Sequence, residues 1–275
     1  DGVCRNPKIV LIDNEEISVT TAKQETKTYN SLKSLLKDPS ISYQDLIKHE
    51  AVINYIIAQG VSKLATIRQK NSKAAGLIVA SSVEHAEQIV TVLTDLFHQS
   101  ATIVTYKESD AGDRINHFRF SNTQWIVSVG MVSEGTDIPR LQVCCHLSRV
   151  KTELYFRQVL GRILRVNSSP NQEAWLFTLA EETLSTFANR IDQELPDTCV
   201  LIRNNAIANE YLGTENHKKT YSTLSDSQPV DEIDDLLFSW GSNESSQLKT
   251  EPKESSYLHA FGGFRERVIE AFVIG

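Results

Sequence analysis

Four residues near the middle of the chain have types and spacing suited to anion chemistry: Gln158, Gly161, Arg162 and Arg165. Read as a helix, Arg162 falls about 40° and Arg165 about −20° from Gln158, with Gly161 near −60°. All four therefore share one face. Phe156, Val159, Leu160 and Ile163 take the opposite face, which suits packing on a sheet. Guanidinium groups grip phosphate oxygens in bidentate pairs, and a glycine beside them admits a close partner. The same stripe also suits an ordinary solvated basic helix face, and this helix alone does not choose between the two.

A second segment lies shortly before it, Gly130-Met-Val-Ser-Glu-Gly-Thr-Asp-Ile-Pro139, directly after the apolar run Gln124 to Val129. Gly130 and Gly135 allow a tight, exposed backbone, and Pro139 stiffens the exit. Asp137 offers an acceptor suited to a sugar hydroxyl, or serves as a plain turn residue. Glu134 reads as structural or ion-paired rather than as a catalytic base.

The elements that would position these segments follow from periodicity. Between about Lys73 and Leu195 short apolar runs alternate with helical patterns, the signature of βαβ units and a mainly parallel sheet. Five strands are expected: 76–80, 101–106, 124–129, 142–148 and 174–179. Helices are expected from Ser81, at 114–121, at 152–165 and at 182–195. Ser81-Ser-Val-Glu84 has the form of a capping box. In such open sheets ligands gather at the carboxyl ends of the strands, so the chemistry is expected there.

On either side the pattern changes. Residues 1–73 read as a connector with helices, opening on the apolar run Lys8 to Ile12 and carrying a helix from about Tyr43 to Arg68, with Gly60 as a weak point. Residues 196–275 read as a C-terminal extension, richest in Ser, Asn, Thr and acidic residues over Gly213 to Ser256, with a small amphipathic piece at Asp231 to Trp240. The last stretch, Leu258 to Ile274, reads as helical after Gly262-Gly263.

Composition sets the bounds. The chain of 275 residues carries 28 Lys and Arg against 35 Asp and Glu, a net charge of −7, which excludes nucleic-acid binding through overall positive charge but not through a local groove. Cys4, Cys144, Cys145 and Cys199 form neither a zinc pattern nor a disulfide framework, and Cys144-Cys145 sits in an apolar run as small buried side chains. No metal site is expected. No apolar stretch is long enough to span a membrane and no signal peptide opens the chain, so a soluble, intracellular protein with no membrane partner is expected. The first residue is Asp rather than Met, which fits a chain cut from something longer.

Together, MVSEGTDIP (131–139) and QVLGRILR (158–165) resemble motifs V and VI of the superfamily 2 helicases and translocases, whose patterns are close to EGxDxP and QxxGRxxR. Leu77 to Ser82 resembles the weaker motif IV. The resemblance covers roughly residues 74–180 and implies the second, RecA-like motor domain: an α/β open, mainly parallel sheet with helices on both faces, preceded by the connector and followed by the extension. It implies Arg165 as the arginine finger on the ATP γ-phosphate, Arg162 as its companion and Gln158 near the triphosphate. Gly135 and Asp137 would touch the ribose, with Gly161 beside them. Ser81, Ser82, Val132 and Ser133 would face a nucleic-acid backbone, although a helix N-cap explains the two serines equally well.

A complete motor also needs a phosphate loop ending in Gly-Lys-[Ser/Thr] and an acidic box for Mg²⁺. None of the twelve glycines precedes a lysine, and Val230-Asp-Glu-Ile-Asp234 lies in polar sequence with no buried strand before it. The resemblance therefore implies half a motor. Its cofactors, ATP and Mg²⁺, would be completed by the first RecA-like domain of a longer parent, and this chain alone would not hydrolyse ATP. The loop is nearer to restriction- and repair-type DNA motors than to the DEAD-box RNA group, which favours DNA over RNA. The other expectation kept open is a non-catalytic platform of the same fold that binds a partner or nucleic acid.

Overall fold

The computed structural model describes residues 4–20, 25–131, 137–166, 173–193, 201–202 and 258–270. Among them, strands β4 (Ala75–Val79), β5 (Ala101–Thr105), β6 (Trp125–Val129), β7 (Leu141–His146) and β8 (Glu173–Leu179) occupy the expected places. They pair in parallel in the order β5-β6-β4-β7-β8. Every residue of β4, β6 and β7 is buried, as strands covered on both faces must be.

The helices divide between the two faces. Cross-strand partners Gly76, Trp125 and Val143 share one face, and Leu77, Ile126 and Cys144 the other. On the first lies α3 (Glu50–Arg68), which buries Val52, Ile53, Ile56, Ile57, Leu64 and Ile67. Gly60 is what lets it lie so close: a Cβ there would stand 2.6 Å from Cys145 Sγ. Helices α2 (Tyr43–Lys48) and α4 (Val83–Thr91) accompany it, α4 running on into a π-helical turn at Val92–Leu96. On the second face lie α5 (Ala111–Phe120), α6 (Glu153–Ile163) and α7 (Glu182–Gln193). There Ile115 covers Leu77 and Ile126, the Phe156 ring meets His146, and Phe187 meets Phe156. The architecture is thus the open, mainly parallel α/β sheet with helices on both faces that a RecA-like domain has.

Four features differ from the sequence expectation. The run expected only as the opening of a connector is strand β1 (Asn6–Asn14), which pairs in parallel with β8 and belongs to the same sheet. Its alternate buried residues, Ile9, Leu11, Val10 and Ile12, serve both faces. Beyond it β11 (Phe264–Glu270) runs antiparallel, followed by the two-residue β9 (Leu201–Ile202), so among the described residues the sheet has eight strands rather than five. The stretch expected as a C-terminal helix is strand β10 (Leu258–Phe261), the Gly262-Gly263 turn and β11. The breaks at 73/74 and 195/196 therefore do not coincide with the limits of the sheet.

The single helix expected over 43–68 is two, parted at His49, whose extended backbone caps α3 by accepting from Ala51 N through Nδ1 at 3.2 Å. A smaller antiparallel sheet, β10 with β2 (Ile17–Thr20) and β3 (Thr26–Tyr29), stands beside the four-residue helix α1 (Leu32–Leu35). The expected polar stretch Gly213 to Ser256, with Asp231 to Trp240 and Val230 to Asp234 inside it, lies outside the described residues. Cys144 and Cys145 are fully buried, and burial pushes both thiols up. No described helix is long and apolar enough to cross a membrane.

Candidate functional site at the end of helix α6

Helix α6 is held at both ends. Thr152 caps its start by accepting from Tyr155 N, and Glu153 in the first turn pairs with Arg157 at 2.8 Å and with Arg190 of α7 at 2.7 Å. Phe156, Val159, Leu160 and Ile163 are buried on the sheet, as the periodicity requires. That fixes the rotation of the helix, so Gln158 and Arg162 emerge half-buried beside an exposed Gly161. The helix ends at Ile163 rather than at Arg165, which lies beyond the C-cap Leu164 in extended backbone bridged to Cys4 and is also half-buried.

A Cβ built on Gly161 would meet nothing within 4 Å. Glycine in a helix interior costs about 1 kcal/mol against alanine. Nothing within the described chain requires that cost.

Arg165 and Asp137 come together: the guanidinium Nη1 donates to the Asp137 carboxylate, with the two side chains 36% and 56% exposed. An ion pair this open contributes about 0–1 kcal/mol. Arg162 stands next to them. Burial lowers its pKa first, the charge of Arg165 lowers it further, and the Asp137 carboxylate works the other way. Its stem covers a small cavity of about 20 Å³ with Met131 and Ile138. Two guanidiniums and the Asp137 carboxylate thus lie together at the surface of an acidic protein.

This group sits at the amino end of the strands, not at the carboxyl end where sequence reasoning sought it. A helix that follows a parallel strand runs back along the sheet, so its last turn returns to the edge where the strand began. Leu164 O accepts from Arg5 N at 2.8 Å, just before β1 starts, and Asp137 lies four residues ahead of Leu141, the first residue of β7.

Ser81 and Ser82 do lie at the carboxyl end of β4, about 15 Å away along a five-residue strand. Ser82 rather than Ser81 is the N-cap of α4, its Oγ accepting from His85 N at 3.2 Å. Ser81 Oγ is 2.8 Å from His85 Nδ1, a ring that burial holds neutral by lowering its pKa to about 4. Both serines therefore have intramolecular partners. Gly130 has φ 71°, the left-handed turn expected where β6 ends. Val132, Ser133, Glu134 and Gly135 lie outside the described residues.

Two arginines escaped the sequence reading. Arg5 is fully buried and Arg140 nearly so. Arg140 donates to Phe118 O at 2.8 Å, Thr123 O at 2.6 Å and Lys73 O at 3.2 Å, and it stacks on the Phe118 ring. Arg5 donates to Leu141 O at 2.6 Å, Pro139 O at 2.7 Å and Ile163 O at 3.2 Å. Desolvation lowers both to about 10, so both stay charged at neutral pH. Their one sequence signal is a position immediately before an apolar strand run.

No protein-family model matches the chain. Among curated proteins it is 30% identical over 139 residues to an uncharacterised protein of Mycobacterium leprae. That stretch is 50% of this chain and 23% of the relative. An uncharacterised protein of Mycobacterium tuberculosis matches 137 residues at the same identity. The chain thus spans under a quarter of the length of the curated relatives it matches.

Similar solved structures include domain 2 of the DEAD-box helicase Mss116p bound to an RNA duplex, at 15% identity and TM-score 0.39 over 55% of this chain and 56% of that one. A fragment assigned to the HsdR subunit of a type I restriction enzyme from Vibrio vulnificus gives 15% and 0.44, over 55% of this chain and 32% of that one. Dbp5 of S. cerevisiae, bound to RNA and ADP-BeF3, gives 12% and 0.40, over 53% and 36%.

Proposed function

We propose that this chain is the second motor half of an ATP-dependent superfamily 2 helicase or translocase. In this reading Arg165 reaches the γ-phosphate of ATP held by a first RecA-like domain elsewhere in a longer protein. The observation that carries the reading is the convergence of Arg165, Arg162 and Asp137 beside the open face at Gly161. The residues present fit a phosphate. Two guanidiniums face one exposed carboxylate, and the ion pair between Arg165 and Asp137 is weak enough to yield to a bidentate anion. They do not fit a metal, since no group of three His, Cys, Asp or Glu among the described residues could hold one. The reading therefore assigns the Mg²⁺ ligands and the phosphate cradle to the first domain.

Bound ATP would supply the phosphoryl group whose transfer concentrates negative charge at the cleft. This chain's part is to deliver guanidinium charge to that transition state, a contribution worth 10³–10⁵ in rate for arginine fingers. Asp137, released from Arg165, becomes an acceptor for a ribose hydroxyl, and Gln158 orients beside it. Because the finger and the cradle lie on different domains, hydrolysis depends on cleft closure. A nucleic-acid backbone, DNA in preference to RNA, would lie along the carboxyl ends of the strands near Ser81, Ser82, Val132 and Ser133.

The test is ATPase activity of the longer protein with and without DNA or RNA, beside this chain alone. Nucleic-acid-stimulated turnover in the parent, none in the chain alone, and a loss of at least about 10³-fold in R165A support the reading. Unchanged turnover in R165A removes the finger assignment. A parent that never turns over makes the chain a binding platform.

A further inference from the structure

We propose that Arg5 is a positioning residue that sets the relation of Arg165 to Asp137. The proposal deepens the reading of Arg165 given above and rests on it. The guanidinium of Arg5 is fully buried and bridges two separate segments. Nη2 donates to Pro139 O at 2.7 Å and Nη1 to Leu141 O at 2.6 Å, which fixes the strand entry that follows Asp137. Nη1 also donates to Ile163 O at 3.2 Å, in the last turn of α6. The backbone completes the clamp: Arg5 N donates to Leu164 O at 2.8 Å, and Cys4 forms an antiparallel bridge with Arg165 itself.

Asp137 is two residues before Pro139, and Arg165 two residues after Ile163. One side chain thus holds both ends of the site through their carbonyls.

The residue type matters. A lysine ammonium is a single point that cannot meet two carbonyl groups from different directions as a planar fork does. An apolar side chain of similar length could fill the volume, but it leaves the carbonyls of Pro139, Leu141 and Ile163 without that donor, which lowers stability. What such a side chain cannot do is tie the two segments together. Displacing a finger by about 1 Å is enough to slow a reaction on the order of 10²-fold.

The test uses the longer protein with R5M, R5K, R165A and the double variant R5M/R165A. R5M is expected to fold with a lowered melting temperature and, at a temperature where it is fully folded, to lower kcat about 10²-fold with the ATP KM near wild type, and R5K to fall between. The double variant should be no slower than R165A alone, because both changes act at one guanidinium. A wild-type rate in R5M, or losses that multiply in the double variant, would overturn the proposal. A wild-type rate in R165A instead removes the finger reading, and Arg5 is then decided by a readout without ATP.

That readout is NMR on the 275-residue chain. R5K should shift the Arg165 Nε–Hε and Asp137 Cγ resonances while leaving the Arg157 and Arg190 side chains, paired to Glu153, in place. Unmoved Arg165 and Asp137 signals would overturn the proposal. So would failure of both R5M and R5K to fold, since Arg5 would then hold the fold rather than the site.

Discussion

Four arginines gather at the amino end of the sheet, and the fold treats them in two opposite ways. Arg5 is sealed beneath the last turn of α6 and Arg140 beside the end of α5, and all their described hydrogen bonds run to backbone carbonyls. Arg162 and Arg165 stand at the rim, half-buried, with one weakly held carboxylate between them. The sealed pair makes the backbone rigid; the rim pair keeps its charge accessible. A guanidinium can meet a ligand only where it is exposed, and of these four only the rim pair is.

The sealed side should break first. Arg140→Ala leaves the carbonyls of Lys73, Phe118 and Thr123 without that donor, and is expected to destabilise the chain by about 3 kcal/mol in urea unfolding. If it costs less than about 1 kcal/mol, the sealed arginines are not structural and the contrast fails.

Burial acts on two histidines in the same way. His85 and His146 are both lowered from 6.5 to about 4, chiefly by desolvation, with Lys48 adding to the effect at His85. The unfolded chain therefore binds two more protons between those pH values. Stability from this source is full above pH 6.5 and falls as the pH drops toward 4, by about 1.4 kcal/mol per unit for each ring. Urea midpoints at pH 7 and pH 5 test this, and His146→Gln should flatten the slope by about half.

Glycines sharpen the comparison at smaller amplitude. Gly60→Ala places a Cβ against Cys145 and is expected to destabilise by about 1–3 kcal/mol despite its gain in helix propensity. Gly161→Ala meets open space, so it should stabilise the isolated chain by about 0.5–1 kcal/mol while slowing the ATPase of the longer protein. A destabilised Gly161→Ala in thermal melts would mean the face is not free. Smallest is Asp137→Asn, expected to change stability by under about 1 kcal/mol, while phosphate or ATP analogues perturb Arg165 resonances more readily once the carboxylate is neutral. Equal perturbation in both forms would show that Asp137 does not compete for the guanidinium.

Much of this was legible beforehand where the signal is local. The strands from Ala75 to Leu179 announce themselves as short apolar runs, and the 3.6-residue period of Phe156, Val159, Leu160 and Ile163 fixes which face of α6 is outward. Lys8 to Ile12 carried a strand's pattern too, but its seat between β8 and β11 depends on partners more than 160 residues away. The error over Phe264 to Glu270 has the same origin, since an apolar run of that length suits helix or strand until a neighbour supplies the hydrogen bonds. Ser81 and Ser82 illustrate the limit in reverse: a cap and a phosphate contact use the same hydroxyl, and only the position of His85 shows where those hydroxyls are engaged.

By itself the sequence determined the α/β alternation, the outward placing of Gln158 and Arg162 on α6, and the tight turn at Gly130. Each follows from residue type and spacing within one or two turns of chain. Only the tertiary structure decided that Arg165 meets Asp137, that the arginine end of α6 lies at the amino edge of the sheet, and that Arg5 ties the two segments together. Those are distances between residues far apart in the chain, and burial around carbonyl groups sets them where no local pattern could.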